Sequence, residues 1–304
     1  MKKKRSWKNY ILPVILFLIG VICGFWVMEN VDFSFLSELS PRMKFLGYIL
    51  FIAIIWISYF LQIIVHEAGH LIFGLLSGYR FSSFRVGKWM LLKKGGKLSF
   101  KQFSLAGTGG QCLMIPPETY EKKPPVAWFL LGGAILNFIN GVAFLLLAFF
   151  VDCSIWLSLF FGMSAFFAFL YALTNGIPMK TNLVSNDGAT VLALCRDADA
   201  ASDFCRHLTI NAQNTEGVRL SEMPCEWFAF PVEEKLQNNA FAETAVFACN
   251  RLMDEKRFED AAERIRYLLG ADTAMAGVHR KLLICDLIYC ELIGERRVDI
   301  LGEL

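Results

Sequence analysis

The sequence predicts an all-α polytopic membrane protein of about four transmembrane helices, with a small membrane-associated β-hairpin or sheet and a C-terminal cytosolic helical domain. Three observations carry that class. Apolar residues make up 55% of the chain and charged residues only 19%, a balance in which much apolar surface must face lipid. Four stretches approach or exceed the roughly 20 apolar residues that cross a bilayer's hydrocarbon core. Beyond residue 200 the composition turns to mixed charge, with apolar residues recurring at helical spacing. The net charge of +2 is too small to argue for nucleic acid as a partner. Nine cysteines contain no CxxC pair, which argues against a disulfide framework or a structural zinc site, and they read as packing residues.

The first span, residues 11–28, follows the basic leader Met1-Lys2-Lys3-Lys4-Arg5. No small-x-small cleavage site closes it, so it reads as a retained anchor rather than a signal peptide. The second, residues 45–76, exceeds the membrane thickness at about 1.5 Å per residue and must tilt, kink or protrude, with Gly69 and Gly74 as candidate bend points. The third, residues 125–151, opens on prolines that a first helical turn tolerates. The fourth covers residues 155–174, and only Asp152, Cys153 and Ser154 separate it from the third, which predicts a helical hairpin.

Residues 80–123 set the orientation, because many lysines and arginines face only Glu118 and Glu121 there, and positive loops stay inside. Both termini are therefore expected in the cytosol, and the second span runs from outside to inside. Residues 81–86 and 97–101 have short β-like patterns and Lys94-Gly95-Gly96 supplies a turn, which predicts a small sheet beside the bilayer.

Residues 241–253, 258–269 and 278–293 show helical periodicity, with Gly270 as a stop. Lys256-Arg257-Phe258-Glu259-Asp260-Ala261-Ala262 looks like the middle of a tetratricopeptide helix pair, although one such unit cannot bury its own core. A partial array, a docking surface for a regulatory protein and a cap on the membrane domain are all open roles. The expected domains are thus an anchor and loop (1–44), a membrane core (45–195) and a cytosolic helical domain (196–304).

The chemistry concentrates at His66-Glu67-Ala68-Gly69-His70. Between Lys44 and Arg80 no other acidic, basic or imidazole side chain occurs. An HExxH on a helix puts two imidazoles one turn apart on one face with the glutamate beside them, which suits a zinc ion and a water to be activated. The bland account is a chance match, with one histidine packing and the glutamate in water. It leaves three ionisable groups at membrane depth, where such groups are costly and usually functional. His207 and His279 lie among charged neighbours and read as surface side chains.

Catalytic zinc commonly takes three protein ligands, so a third is required. The fourth span ends on the same side as the histidines and is followed by Asn175-Gly176-Ile177-Pro178 and then Asp187-Gly188. Turn chemistry alone explains an Asp-Gly pair, but a site short of one ligand makes Asp187 the candidate. One zinc per chain held by His66, His70 and Asp187 would acidify a water, with Glu67 accepting its proton and passing it to a leaving amine. Peptide hydrolysis is the natural reaction. Asn175 and Asn137 are candidates to stabilise the oxyanion. For Asn137 an equal alternative is interhelical glue, because Gly133, Asn137 and Gly141 form a stripe that lets helices approach. A substrate helix must be unwound before cleavage. The edge of the sheet offers strand addition, and Gly109 and Gly110 let two backbones come close. A plain hairpin whose lysines meet lipid headgroups is the alternative.

These residues resemble the site-2 protease family of intramembrane zinc metalloproteases. His66, Glu67 and His70 match its HExxH, while Asn175, Pro178, Asp187 and Gly188 match its second motif. Gly132-Gly133-Ala134-Ile135-Leu136-Asn137 looks like the start of its middle core helix, and Gly107-Thr108-Gly109-Gly110 resembles its glycine-rich loop. The resemblance covers residues 45–194, and the stretch from Met179 to Asn186 is longer than the family's usual spacing. It implies an endopeptidase cutting membrane protein or peptide substrates within or beside their transmembrane segments, multi-pass in a bacterial plasma membrane. A catalytically inactive zinc-binding scaffold or receptor acting through its cytosolic helices is the alternative, and the intact Glu67 speaks against it. A zinc transporter would want further acidic or histidine residues along a path, which the other spans lack.

Overall fold

The computed structural model describes residues 40–103, 109–118, 124–179 and 185–294. The span expected at residues 11–28 lies outside them, as do Gly107 and Thr108. Among the described residues, three helices are long and apolar enough to cross a membrane: α1 (Pro41–Leu76), α2 (Val126–Phe150) and α3 (Ile155–Gly176). Ser40 and Pro41 occupy the cap and first-turn positions that suit them at the start of α1. At its end Gly78 takes the left-handed conformation (φ 85°), so that Tyr79 N–H reaches the Gly74 carbonyl and Gly78 N–H that of Leu75. That double closure satisfies carbonyls the last turn would otherwise orphan. The 36 residues of α1 make about 54 Å of helix against about 30 Å of hydrocarbon. Gly69 and Gly74, expected to bend it, leave it uninterrupted. Each instead marks a close approach: a Cβ on Gly69 would lie 2.3 Å from the Gly132 carbonyl oxygen, and one on Gly74 2.3 Å from Met114 Sδ.

The expected small sheet has four antiparallel strands. Strands β1 (Arg80–Val86), β2 (Trp89–Lys94), β3 (Lys97–Gln102) and β4 (Gly110–Ile115) are ordered β3-β2-β1-β4. Gly95 and Gly96, both at positive φ, make the two-residue β2–β3 turn. Sequence reading placed β1 and β3 but not β2 or β4, since Trp-Met-Leu-Leu and Cys-Leu-Met-Ile do not alternate. Pairing with β1 holds them in the sheet.

The remaining α-helices among the described residues are α4 (Asp187–Arg196), α5 (Ala198–Glu216), α6 (Asn239–Asp254), α7 (Phe258–Gly270) and α8 (Gly277–Ile293). Of two compact units, one holds described residues 40–65 and 136–173, and the other 66–135 and 174–294. The first hides polar groups: Ser58, Gln62, Asn137 and Ser164 are fully buried, Ser164 donating to Ser58 Oγ at 3.1 Å. The second has ordinary apolar cores. One joins Tyr79, Met114, Phe129 and Leu130 to Leu194, Leu208 and Phe241, and another packs α6, α7 and α8 through Ala245, Ala261, Ile265, Leu283 and Leu287.

Cys112, Cys205, Cys249 and Cys290 are buried thiols, and burial pushes Cys249 up to about 12 and Cys205 to about 11, so both stay protonated as packing groups. His207 departs from its expected surface place. It is buried between α5 and α6, its Nε2 2.8 Å from Thr244 Oγ1, whose hydroxyl donates to Asp203 Oδ2 at 2.8 Å. Asp203 and His207 stand one turn apart, so the charged neighbours that suggested a surface form a polar seam instead.

Candidate metal centre

α1 carries His66 and His70 on one face, one turn apart, both buried, with ring centroids 4.7 Å apart. Gly133 of α2 makes room for them. A Cβ there would lie 2.6 Å from His66 Cε1 and 2.8 Å from His70 Nε2, so α2 reaches the imidazoles with bare backbone. Gly69 and Gly132 meet in the same way, each occupying the space where the other's side chain would stand.

His70 Nδ1 donates to the Phe129 carbonyl at 2.9 Å, which leaves the lone pair of Nε2 facing inward. Asp187 opens α4 and brings Oδ2 to 3.2 Å from His66 Nε2 and 3.5 Å from His70 Nε2, while the two Nε2 atoms stand 3.2 Å apart. Metal bonds of about 2.0–2.1 Å in a tetrahedral arrangement put ligand atoms about 3.3 Å from one another. The three atoms therefore stand at the spacing a small divalent cation requires. Asp187 Oδ2 is also buried without a well-formed hydrogen bond, which suits an acceptor that binds a cation. Among the described residues this is the group of three His, Cys, Asp or Glu side chains whose ligand atoms converge, all within 4.8 Å.

Glu67 is buried beside the pair. The first residue of β4 lies directly on it, since a Cβ on Gly110 would meet Glu67 Cγ and Oε1 at 2.5 Å. Gly109, by contrast, accepts a hydrogen bond from Gly87 N–H at 2.8 Å just beyond the ends of β1 and β4. Asn175 lies half-buried in the last turn of α3, its carbonyl oxygen against Gly188. Asn137 belongs to the other compact unit, where its amide donates to the Gln62 carbonyl and to Gln62 Oε1, both at 3.1 Å. That is the interhelical arrangement weighed for it above.

A residue that sequence reading passed over is Arg85. Its side chain is buried in β1, and its guanidinium donates to the Gly87 and Gly110 carbonyls at 2.8 and 3.3 Å, holding the end of β4 where it covers Glu67. Burial lowers its pKa from the ordinary arginine value, and the Glu67 carboxylate opposes the shift. The available signal was an arginine set between Phe84 and Val86 near the end of a strand.

A scan against family models matches Peptidase family M50 over residues 50–239, well over half of the chain. The chain belongs to peptidase family M50, the site-2 protease family. With its three apolar helices, membership makes it a membrane-embedded metalloprotease. The matched residues of this M50 chain include HExxH, the sheet, the two following apolar helices and Asp187, and continue through α5 to the first residue of α6. No curated protein and no solved structure matches it.

Proposed function

We propose that this chain is an intramembrane zinc endopeptidase hydrolysing peptide bonds within or beside transmembrane segments of membrane protein substrates. The observation that carries the reading is the convergence of His66 Nε2, His70 Nε2 and Asp187 Oδ2 beside a buried Glu67. His66, His70 and Asp187 would hold one zinc per chain, which would supply acidification of a bound water and polarisation of the scissile carbonyl. Glu67 takes the proton from the attacking water and delivers it to the leaving amine nitrogen as the C–N bond breaks. Its burial keeps bulk water from competing for that proton. Asn175, in the last turn of α3 beside the start of α4, is the amide proposed to stabilise the developing oxyanion, while Asn137 donates to Gln62.

The outer edge of β4 is the place for an extended substrate strand, because Gly110 brings that strand's backbone up to Glu67. Gly109 and Gly110 would allow the substrate backbone the same close approach. Lysines of β2 and β3 suit anionic headgroups of the surrounding bilayer. The wider proposal is a multi-pass protein of a bacterial cell membrane, with four spans, both termini cytosolic and domains 1–44, 45–195 and 196–304. Its C-terminal helices offer a surface to a regulatory protein.

Purified protein is expected to contain about one zinc per chain by elemental analysis. Glu67→Gln keeps that metal and loses cleavage of a membrane-spanning substrate in proteoliposomes. Retained cleavage removes Glu67 from its role, and the absence of cleavage by the wild type against a panel of such substrates favours the scaffold alternative.

A further inference from the structure

Asp187 reaches the imidazoles from the start of a helix separate from theirs, so something must hold that start in place. The residue before it does. Asn186 is the N-cap of α4, in extended conformation (φ −77°, ψ 172°), and its Oδ1 accepts from Ala189 N–H at 3.0 Å. Capping needs no more than that bond. The same carboxamide makes three further hydrogen bonds, all to the end of α3 and its exit. Oδ1 also accepts from Met179 N–H at 2.9 Å, and Nδ2 donates to the carbonyls of Thr174 at 2.7 Å and Ile177 at 2.6 Å. Two donors and two acceptor positions are thus all used. Thr174 lies among the last four residues of α3, whose carbonyls have no partner within the helix.

The neighbour on the other side repeats the attachment. A Cβ on Gly188 would lie 2.3 Å from the Gly176 carbonyl oxygen, so α4 begins in backbone contact with the end of α3. Asp187 stands between these two anchors, with a single residue's torsions separating it from each. Where the Asn186 amide sits therefore decides where the Asp187 carboxylate can go.

We propose that Asn186 is a positioning residue for the third metal ligand, acting by tying the start of α4 to the end of α3 rather than only by capping α4. The proposal rests on the reading of His66, His70 and Asp187 as a zinc site. Partners that orient a ligand typically change metal affinity or activity by about 10- to 100-fold when removed.

The test uses the full-length protein in detergent, with zinc affinity measured by competition against a chelator and cleavage measured at several zinc concentrations. Asn186→Ser keeps a good cap for Ala189 N–H but lacks both donors and the reach to α3. It is expected to weaken zinc binding about 10- to 100-fold. kcat should fall with little change in KM, part of the loss should be recovered in excess zinc, and helix content should match the wild type. Wild-type zinc affinity and kcat in Asn186→Ser overturn the proposal while leaving the metal site standing. Asp187→Ala separates the two readings: normal zinc content there removes the metal assignment itself. Should Asn186→Ser fail to fold, Asn186→Gly decides instead, because glycine is a tolerated N-cap and removes the donations to Thr174 and Ile177 without adding a charge beside Asp187. Weakened zinc binding in it supports the tie, and unchanged binding refutes it.

Discussion

The helical region of residues 40–65 and 136–173 and the C-terminal helices α6–α8 are built on opposite plans. In the first, Phe45, Trp56 and Phe150 are 65%, 66% and 80% exposed, while Ser58, Gln62, Asn137 and Ser164 are fully buried. In the second, Ile265, Leu283 and Leu287 are buried and the arginines and acids of α7 point outward. Water rewards the second plan through the hydrophobic effect. Lipid tails are as apolar as leucine, so that driving force vanishes between spanning helices, and hydrogen bonds and small residues hold them together instead. One chain therefore follows two rules for what belongs inside, and the rule changes with the solvent.

Four substitutions test that contrast, in order of expected size. Leu283→Ala empties a fully buried position in the α6–α8 core and is expected to cost about 2–5 kcal/mol, read as easier proteolysis of the C-terminal helices. Ile57→Lys places a charge on an outward face of α1 and should cost about 2.5–3.5 kcal/mol in an insertion assay if that face meets lipid. Asn137→Leu removes a buried interhelical amide, and a loss of about 0.6–2 kcal/mol in detergent unfolding is expected. Leu282→Lys is the matched control. Leu282 is 55% exposed and Ile57 57%, yet the change at Leu282 should stay within about 0.5 kcal/mol if that face of α8 meets water. If both lysines disrupt alike, α8 faces an apolar partner and the contrast fails in that region.

Legibility followed the same division. Long apolar runs announced α1, α2 and α3 because a bilayer demands length and hydrophobicity from every spanning segment, and each boundary fell within a few residues of its expected place. The helical periods of α6, α7 and α8 were legible for the complementary reason, one face being dry and the other wet. Strands β2 and β4 left little trace, since their places come from pairing with β1 rather than from alternation. His207 misled because charged neighbours along the chain do not reveal that they turn inward together as a seam with Thr244. Arg85 and Asn186 were overlooked because what distinguishes them is the set of distant carbonyls they reach.

The linear order of residues was enough to determine that this chain carries membrane-crossing helices, and that the chemistry available to it centres on His66, Glu67 and His70. Helical spacing alone brings the imidazoles together, and the scarcity of other ionisable groups nearby marks them. The arrival of Asp187 was decided only by the folded chain. Its distance from the histidines depends on bare backbone at Gly69, Gly132 and Gly133, on the Gly176–Gly188 contact and on one asparagine amide spanning two helix ends. Those are contacts between segments far apart in sequence, and no local pattern encodes the distance across them.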